Sequence, residues 1–294
     1  MTIEKAASRA LLKPWGSGDR MPWSRAEPGR VIGEIWFERP GQPDVDTSLL
    51  LKLLFTRQPL SIQVHPDDAM AQSLGLLRGK AEAWYILSAA PGAKLARGLS
   101  EATTLDALRA AIADGSVETL VLWHSVQAHD TIAIPAGTIH ALGAGLVVAE
   151  LQQRSDTTYR LFDFGRERAL QVDLAVAAAN RTLTAATAPA RRLSAERVLL
   201  VACPQFVFER IELRPGSGWE LQAAAETWLL VIDGAATIGP VHADVGEAVF
   251  LERDRALITP GLAGMTALVG TLAATPADDF LIDVTSSPRI KVPA

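Results

Sequence analysis

Four residues of metal-ligating type stand out by their spacing: Gln63 and His65, then Glu82, then His140. Gln63 and His65 lie two positions apart in Leu60-Ser61-Ile62-Gln63-Val64-His65, so on a strand both side chains leave the same face. Glu82 stands in a second apolar run beside Ala83-Trp84-Tyr85, and His140 follows a Pro135-Ala136-Gly137 turn. Neutral imidazoles, a carboxylate and an amide oxygen drawn from separate strands form a site suited to a divalent metal. No thiolate can complete a soft cluster, because Cys203 is the single cysteine. It also excludes a disulfide framework within the chain and reads as a small apolar filler.

Cations and carboxylates flank this set. Lys80 is two residues from Glu82, so on a strand it shares that face and is placed for acid/base work. Arg160 offers a fixed fork of donors that can stabilise a developing oxyanion or orient a hydroxyl. Glu150 and Asp156 are further proton carriers, and Lys80 and Asp156 stand level as the base. His124, His129 and His242 read as helix-end, turn and surface residues.

The elements that must position these groups are mostly strands. Residues 31–37, 49–55 and 60–65 read as short strands, with Pro40-Gly41-Gln42-Pro43 as a turn between the first two. A short helix is expected over 69–77 and another strand over 83–88. Leu105, Leu108, Ile112, Val117, Leu120 and Val121 then fall at helical spacing, broken by Asp114-Gly115, and mark a helical insertion over about 101–125. Strand patterning resumes at 131–134 and 146–152 and ends near Tyr159-Arg160-Leu161.

Residues 181–197, rich in Ala, Thr, Pro and Arg, mark a boundary. Beyond it, strands are expected over 206–213, 227–232, 248–251, 256–259 and 267–272, with turns at Asp233-Gly234, Pro240 and Gly246. The chain therefore divides into a metal-binding unit, residues 1–185, and a second β-rich unit, residues 186–294. The second repeats the turn-strand-turn rhythm of the first, yet its one histidine is His242, so it is expected to hold no metal.

The bulk composition narrows the partners. The 294 residues are 49% apolar and 21% charged, ordinary for a globular protein. With 28 basic and 33 acidic residues the net charge is −5, which leaves no broad basic field for nucleic acid and no polybasic tail for a membrane. An anionic ligand must therefore be held by a few local cations. Lys13-Pro14-Trp15-Gly16 interrupts any signal-peptide pattern and no apolar run is long enough to span a bilayer, so a cytoplasmic location is expected.

Taken in order, these stretches resemble the type I phosphomannose isomerases (mannose-6-phosphate isomerases), zinc-dependent enzymes built from cupin barrels. The residues that carry the likeness are Gly33-Glu34-Ile35-Trp36, Lys52-Leu53-Leu54, residues 60–67, and Lys80 to Tyr85. The longest stretches are Ile134 to Gly143 and Glu150 to Arg166. The resemblance covers roughly residues 30–166 and is closest to the short bacterial form. It implies a mainly β fold of two cupin-like β-barrel (jelly-roll) units, with helical insertions in and around the first.

The same resemblance implies one Zn²⁺ per chain, held by Gln63, His65, Glu82 and His140. Lys80, Glu150, Asp156 and Arg160 would line the pocket as catalytic residues, with Ser61 and Lys52 near the phosphate end of the substrate. The implied reaction interconverts mannose 6-phosphate and fructose 6-phosphate by proton transfer through a cis-enediol. The alternatives are a cupin isomerase for another sugar or phosphosugar, a non-catalytic sugar-binding cupin, and an iron cupin oxygenase, which Gln63 disfavours. A small phosphosugar is the expected partner, with no nucleic acid or membrane, in a monomer or homodimer. Two positions depart from the family pattern: Gly79, where some relatives carry a polar residue, and Arg154, where a small residue is common.

Overall fold

The computed structural model describes residues 2–18, 21–24, 30–41, 47–182 and 188–285. Every strand pairing it contains is antiparallel, and the strands form three sheets. The first sheet has six strands, ordered Ala7–Leu11, Glu34–Glu38, Leu49–Thr56, Leu146–Gln153, Glu82–Ala89 and Thr131–Ile134. The second has five, ordered Tyr159–Phe162, Ile62–Val64, His140–Leu142, Lys94–Leu99 and Val121–Ser125. They pack face to face: Leu54, Trp84, Ile86 and Val148 of the larger sheet share a core with Leu95 and Leu142 of the smaller. This is the two-layer jelly-roll arrangement of a cupin.

Leu49–Thr56, Leu-Leu-Leu-Lys-Leu-Leu-Phe-Thr, is buried along its whole length. Such a continuous apolar run fits a strand covered on both faces. Lys52 and Leu54 face the jelly-roll interior, whereas Leu49, Leu51, Leu53 and Phe55 pack against Phe206, Phe208, Trp228 and Phe250 of the C-terminal half. The period of two along Glu82–Ala89 does the same. Glu82, Trp84 and Ile86 point inward, and Ala83, Tyr85 and Leu87 join the core between the two halves. One strand thus carries a candidate ligand on one side and the junction on the other.

The C-terminal half forms a ten-stranded sheet. The strand Thr2–Lys5 joins it by pairing with Ala248–Glu252, although the division at 185/186 assigns those residues to the first unit. Glu226 ties the halves together, its carboxylate accepting from the Ser48 and Leu49 amides at 2.6 and 2.9 Å and from Trp228 Nε1 at 3.0 Å.

Several elements differ from the sequence reading. The helical insertion expected to reach about residue 125 ends at Leu120, and Val121–Ser125 is a strand paired with Lys94–Leu99. The helix Leu105–Asp114 starts where Thr104 Oγ1 accepts from the Ala107 amide and stops at Gly115, whose φ of 81° few other residues adopt. The helix expected over 69–77 is shorter, Asp68–Ser73. Lys94–Leu99 and the helix Val172–Ala178 were not expected. In the second half the strands at 256–259 and 267–272 are parts of one continuous strand, Asp254–Thr271. Asp233-Gly234 is not a turn but a bulged point within Thr227–Ile238. Residues 42 and 43 of the expected turn, and part of the 181–197 boundary segment, lie outside the described residues.

Candidate metal centre

His65, Glu82 and His140 each present a ligand atom, all within 4.8 Å of one another, and all three side chains are buried. The local structure explains their meeting. Gly137, at φ 82°, closes the Pro135-Ala136-Gly137 turn, and its amide donates to the His65 carbonyl at 2.8 Å. That bond docks the segment leading to His140 against the end of the His65 strand. His140 then pairs in register with Gln63.

The two imidazoles have defined tautomers. His65 Nδ1 donates to the Thr157 carbonyl at 2.8 Å, and His140 Nδ1 to the Thr138 carbonyl at 2.8 Å. Backbone acceptors of this kind orient metal-binding histidines and leave each Nε2 unprotonated, with its lone pair as an acceptor. His65 Nε2 lies 3.2 Å from Glu82 Oε1 and His140 Nε2 lies 3.7 Å from Glu82 Oε2. Two lone pairs and a carboxylate thus face each other with no hydrogen between them, and His65 Nε2 and Glu82 Oε2 are buried without a hydrogen-bond partner among the described residues. Buried acceptors left in this state are costly unless a cation joins them. The donor set of two imidazoles and one carboxylate fits a divalent metal.

The electrostatics keep the ligands in their binding forms. Burial, reinforced by Lys80, pushes the His65 pKa down to about 3, so the ring is neutral. His140 is lowered as well, chiefly by burial. Burial alone would raise Glu82, but Lys80 foremost, then His65, hold its carboxyl well below the usual range. Gln63 sits beside the cluster: its amide nitrogen is 3.3 Å from His140 Nε2, and its oxygen accepts from Ser61 Oγ at 3.0 Å. Exchanging the two ends of that amide, which differ only in their partners, would turn the oxygen towards His140.

A cleft of about 140 Å³ opens beside the cluster. Of the ten residues singled out in the sequence, nine line it, and His65 stands just behind. Their states differ. Lys80 Nζ is buried 3.1 Å from Glu82 Oε1. Lys52 is buried, donating to Gln152 Oε1 at 2.5 Å and lying 3.1 Å from Glu150 Oε1. Burial would lower its pKa, but Glu150 and Glu34 overcome this and raise it. Glu150 also accepts from Trp84 Nε1 at 2.9 Å, and Trp84 packs edge-on to His140. Burial, then Glu82, push the Glu150 carboxyl up.

Arg160 is different. Asp163, a plausible structural partner by sequence distance, is taken by Arg166 and Arg168 at 2.8 and 2.5 Å. Among the described residues the Arg160 guanidinium has no ion pair, and its Nε is buried without a partner. Burial, and then Arg168, push its pKa down. Asp156 is exposed on the cleft wall.

Four charged or hydroxyl-bearing lining residues had not been singled out as site residues: Lys13, Glu34, Thr158 and Arg168. Glu34 accepts from Trp36 Nε1 at 2.6 Å and lies 3.2 Å from Lys13 Nζ. The Gly33-Glu34-Ile35-Trp36 spacing was a usable signal, since it puts Glu34 and Trp36 on one strand face. The two family departures are explained by packing. A Cβ at Gly79 would come within 2.6 Å of the Pro66 carbonyl oxygen. Arg154 turns away from the cleft to Thr47 Oγ1, at 3.0 Å.

A jelly roll with a buried His-Glu-His cluster in a polar cleft defines a metal-site protein of the cupin fold. Known proteins make the likeness more specific. The chain is 42% identical over 134 residues to the mannose-6-phosphate isomerase of Streptococcus mutans serotype c, covering 44% of this chain and 42% of that protein. It is 40% identical over 147 residues to mannose-6-phosphate isomerase ManA of Bacillus subtilis, covering 48% and 46%. The chain spans about half the length of the curated relatives it matches. The crystal structure of the Bacillus subtilis mannose 6-phosphate isomerase superposes with a TM-score of 0.79 at 23% identity, over 92% of this chain and 99% of that one. A zinc-bound mannose 6-phosphate isomerase gives a TM-score of 0.69 at 14% identity, over 92% and 99%. No family model matches the chain. Over about half its length the chain is similar in sequence to mannose-6-phosphate isomerases, and it shares the fold of their solved structures.

Proposed function

We propose that the chain is a zinc-dependent aldose-ketose isomerase that interconverts mannose 6-phosphate and fructose 6-phosphate. The observation that carries this reading is the meeting of two imidazole lone pairs and a carboxylate beside a buried lysine and an unpaired arginine. Gln63, His65, Glu82 and His140 would hold the ion. Bound there, zinc supplies Lewis-acid polarisation of substrate oxygens.

The remaining work falls to side chains of the cleft. Moving a proton between C2 and C1 needs a base for the carbon-bound hydrogen and donors for the oxygen that gains charge. We assign the base to Asp156, which accepts protons without first leaving a carboxylate partner. Lys80 is engaged by Glu82 at 3.1 Å and is assigned to donate to a substrate oxygen. Arg160, with its fork uncommitted, stabilises the developing negative charge. Glu150 holds Trp84 and Lys52, and through Trp84 the edge of His140, which makes it a positioning residue.

The anionic end of the substrate is assigned to the cleft mouth, where the side chains of Lys13 and Arg168 are 30% and 29% exposed. Lys52 and Ser61 are less suited to direct contact, since their polar atoms are committed to Gln152, Glu150 and Gln63. Among the described residues no helix is long and apolar enough to cross a membrane. A cytoplasmic monomer or homodimer, with a metal-bearing unit and a second unit that includes Thr2–Lys5, completes the proposal.

The test is to incubate mannose 6-phosphate with the zinc-loaded protein in deuterium oxide and follow both sugars by NMR. Fructose 6-phosphate carrying solvent deuterium is expected, with exchange abolished in Asp156→Asn. Neither interconversion nor exchange would overturn the reading in favour of a binding protein.

A further inference from the structure

Gln152 is not among the residues that line the metal cleft, yet it is fully buried beside them. On the strand Leu146–Gln153 it stands in register between Leu50 and Glu82, two positions from Glu150, so its side chain leaves the same inward face. Its amide oxygen accepts from Lys52 Nζ at 2.5 Å, and its amide nitrogen donates to the Gln153 and Ser155 carbonyls, both at 2.8 Å. These partners fix the orientation. Turned end for end, the amide would set its N–H groups against an ammonium and its oxygen against two carbonyls.

The bond to Ser155 reaches the connection between the strands Leu146–Gln153 and Tyr159–Phe162, residues 154–158, which has no regular structure. A segment without a ladder is held by the individual bonds made to its backbone. At its start the Arg154 amide donates to the Ser48 carbonyl at 2.8 Å, and Arg154 Nη1 to Thr47 Oγ1 at 3.0 Å. From the interior, Gln152 takes hold of the next residue, Ser155. The two residues after that belong to the site. Asp156 lines the cleft, and the Thr157 carbonyl accepts from His65 Nδ1 at 2.8 Å.

One buried amide therefore reaches the backbone behind two separate parts of the site. Groups that orient a metal-binding histidine typically change metal affinity about 10- to 100-fold when they are lost. A catalytic group displaced by about 1 Å can cost about 10²-fold in turnover. We propose that Gln152 is a positioning residue: it holds residues 155–157 so that His65 keeps its aim at the metal and Asp156 its place beside the substrate. The part that concerns Asp156 rests on the isomerase reading, whereas the part that concerns His65 needs only the metal.

The experiment measures the zinc affinity of the full chain by competition with a chromogenic chelator, then steady-state kinetics on mannose 6-phosphate at saturating zinc. Gln152→Met keeps the side-chain volume and removes all three hydrogen bonds. It should bind zinc about tenfold more weakly. With zinc saturating, kcat should fall about tenfold or more while KM stays within about twofold. Val249→Ala, in the apolar core of the C-terminal half, controls for lost stability and should lower Tm with zinc affinity and kcat unchanged. If Gln152→Met does not fold, Gln152→Glu takes its place with the same expectation. It keeps an acceptor for Lys52 but turns an oxygen, not a donor, towards the Gln153 and Ser155 carbonyls. The proposal is overturned if the Gln152 variant binds zinc as tightly as the wild type, if its loss falls on KM with kcat unchanged, or if Val249→Ala weakens zinc binding as much. A wild-type chain that binds zinc without turning over the sugar would overturn the isomerase reading instead, and the zinc affinities would then decide the proposal alone.

Discussion

Replacing Arg160 by methionine should leave the fold as stable as before while removing most of the activity. The substitution keeps the aliphatic stem and deletes the guanidinium. That group has no carboxylate partner among the described residues, its Nε is buried without an acceptor, and Arg168 repels it. An unsatisfied buried donor costs about 1–3 kcal/mol, so losing it offsets the packing of the charged head. The net change in stability is therefore about 0–1 kcal/mol in the favourable direction. At about 2–4 °C per kcal/mol for a chain of this size, Tm should hold or rise by a few degrees. The loss of a donor aimed at developing charge costs about 3–4 kcal/mol of transition-state stabilisation, a fall in kcat of about 10²–10³. Paired thermal melts and steady-state kinetics on mannose 6-phosphate read both quantities. A Tm lowered by more than about 5 °C with unchanged kcat would refute the reasoning, since it would make Arg160 a structural residue.

Other expectations follow from the same geometry. Lys52→Met should lower stability by about 3–5 kcal/mol in denaturant titration, because it leaves Glu150 buried without its cation. Gly79→Ala should cost about 1–3 kcal/mol and reduce turnover, since its Cβ would press on the Pro66–Asp67 backbone that positions Lys80. Burial would raise Asp163, but Arg168 and Arg166 hold its carboxyl below the usual value. A depressed carboxylate contributes stability above its unfolded pKa, here near 3.8, and loses it as pH falls through the lowered folded value. Asp163→Asn should therefore be less stable than wild type at neutral pH and converge with it in acid, as pH-dependent melts would show. The same variant releases Arg168 and should raise KM more than it lowers kcat.

The site was more legible than the fold around it. Gln63 and His65 at a spacing of two, and Lys80 and Glu82 likewise, encode side chains on one strand face, and short-range periodicity is enough to read that. The state of each group was not readable. That Arg160 is free depends on Asp163 being taken by Arg166 and Arg168, a choice among neighbours that spacing leaves open. Lys13 reaches Glu34 only because the chain passes close to Gly33, whose Cβ would meet the lysine stem at 2.4 Å. Among the elements, Val121–Ser125 continued a helical pattern because its apolar residues followed those of the preceding helix, and pairing with Lys94–Leu99 decides it as a strand. Thr2–Lys5 crosses to the sheet of the other half, a long-range pairing that no local pattern announces.

Under the proposed function, a metal held by His65, Glu82 and His140 makes this cleft an isomerase. The most direct measurement is turnover of mannose 6-phosphate by the purified chain as prepared, after chelation, and after zinc is returned. Activity is expected to vanish with the chelator, to return with zinc, and to stay absent in His140→Ala under all three conditions. Full activity in the chelated, metal-free protein would contradict the proposed function.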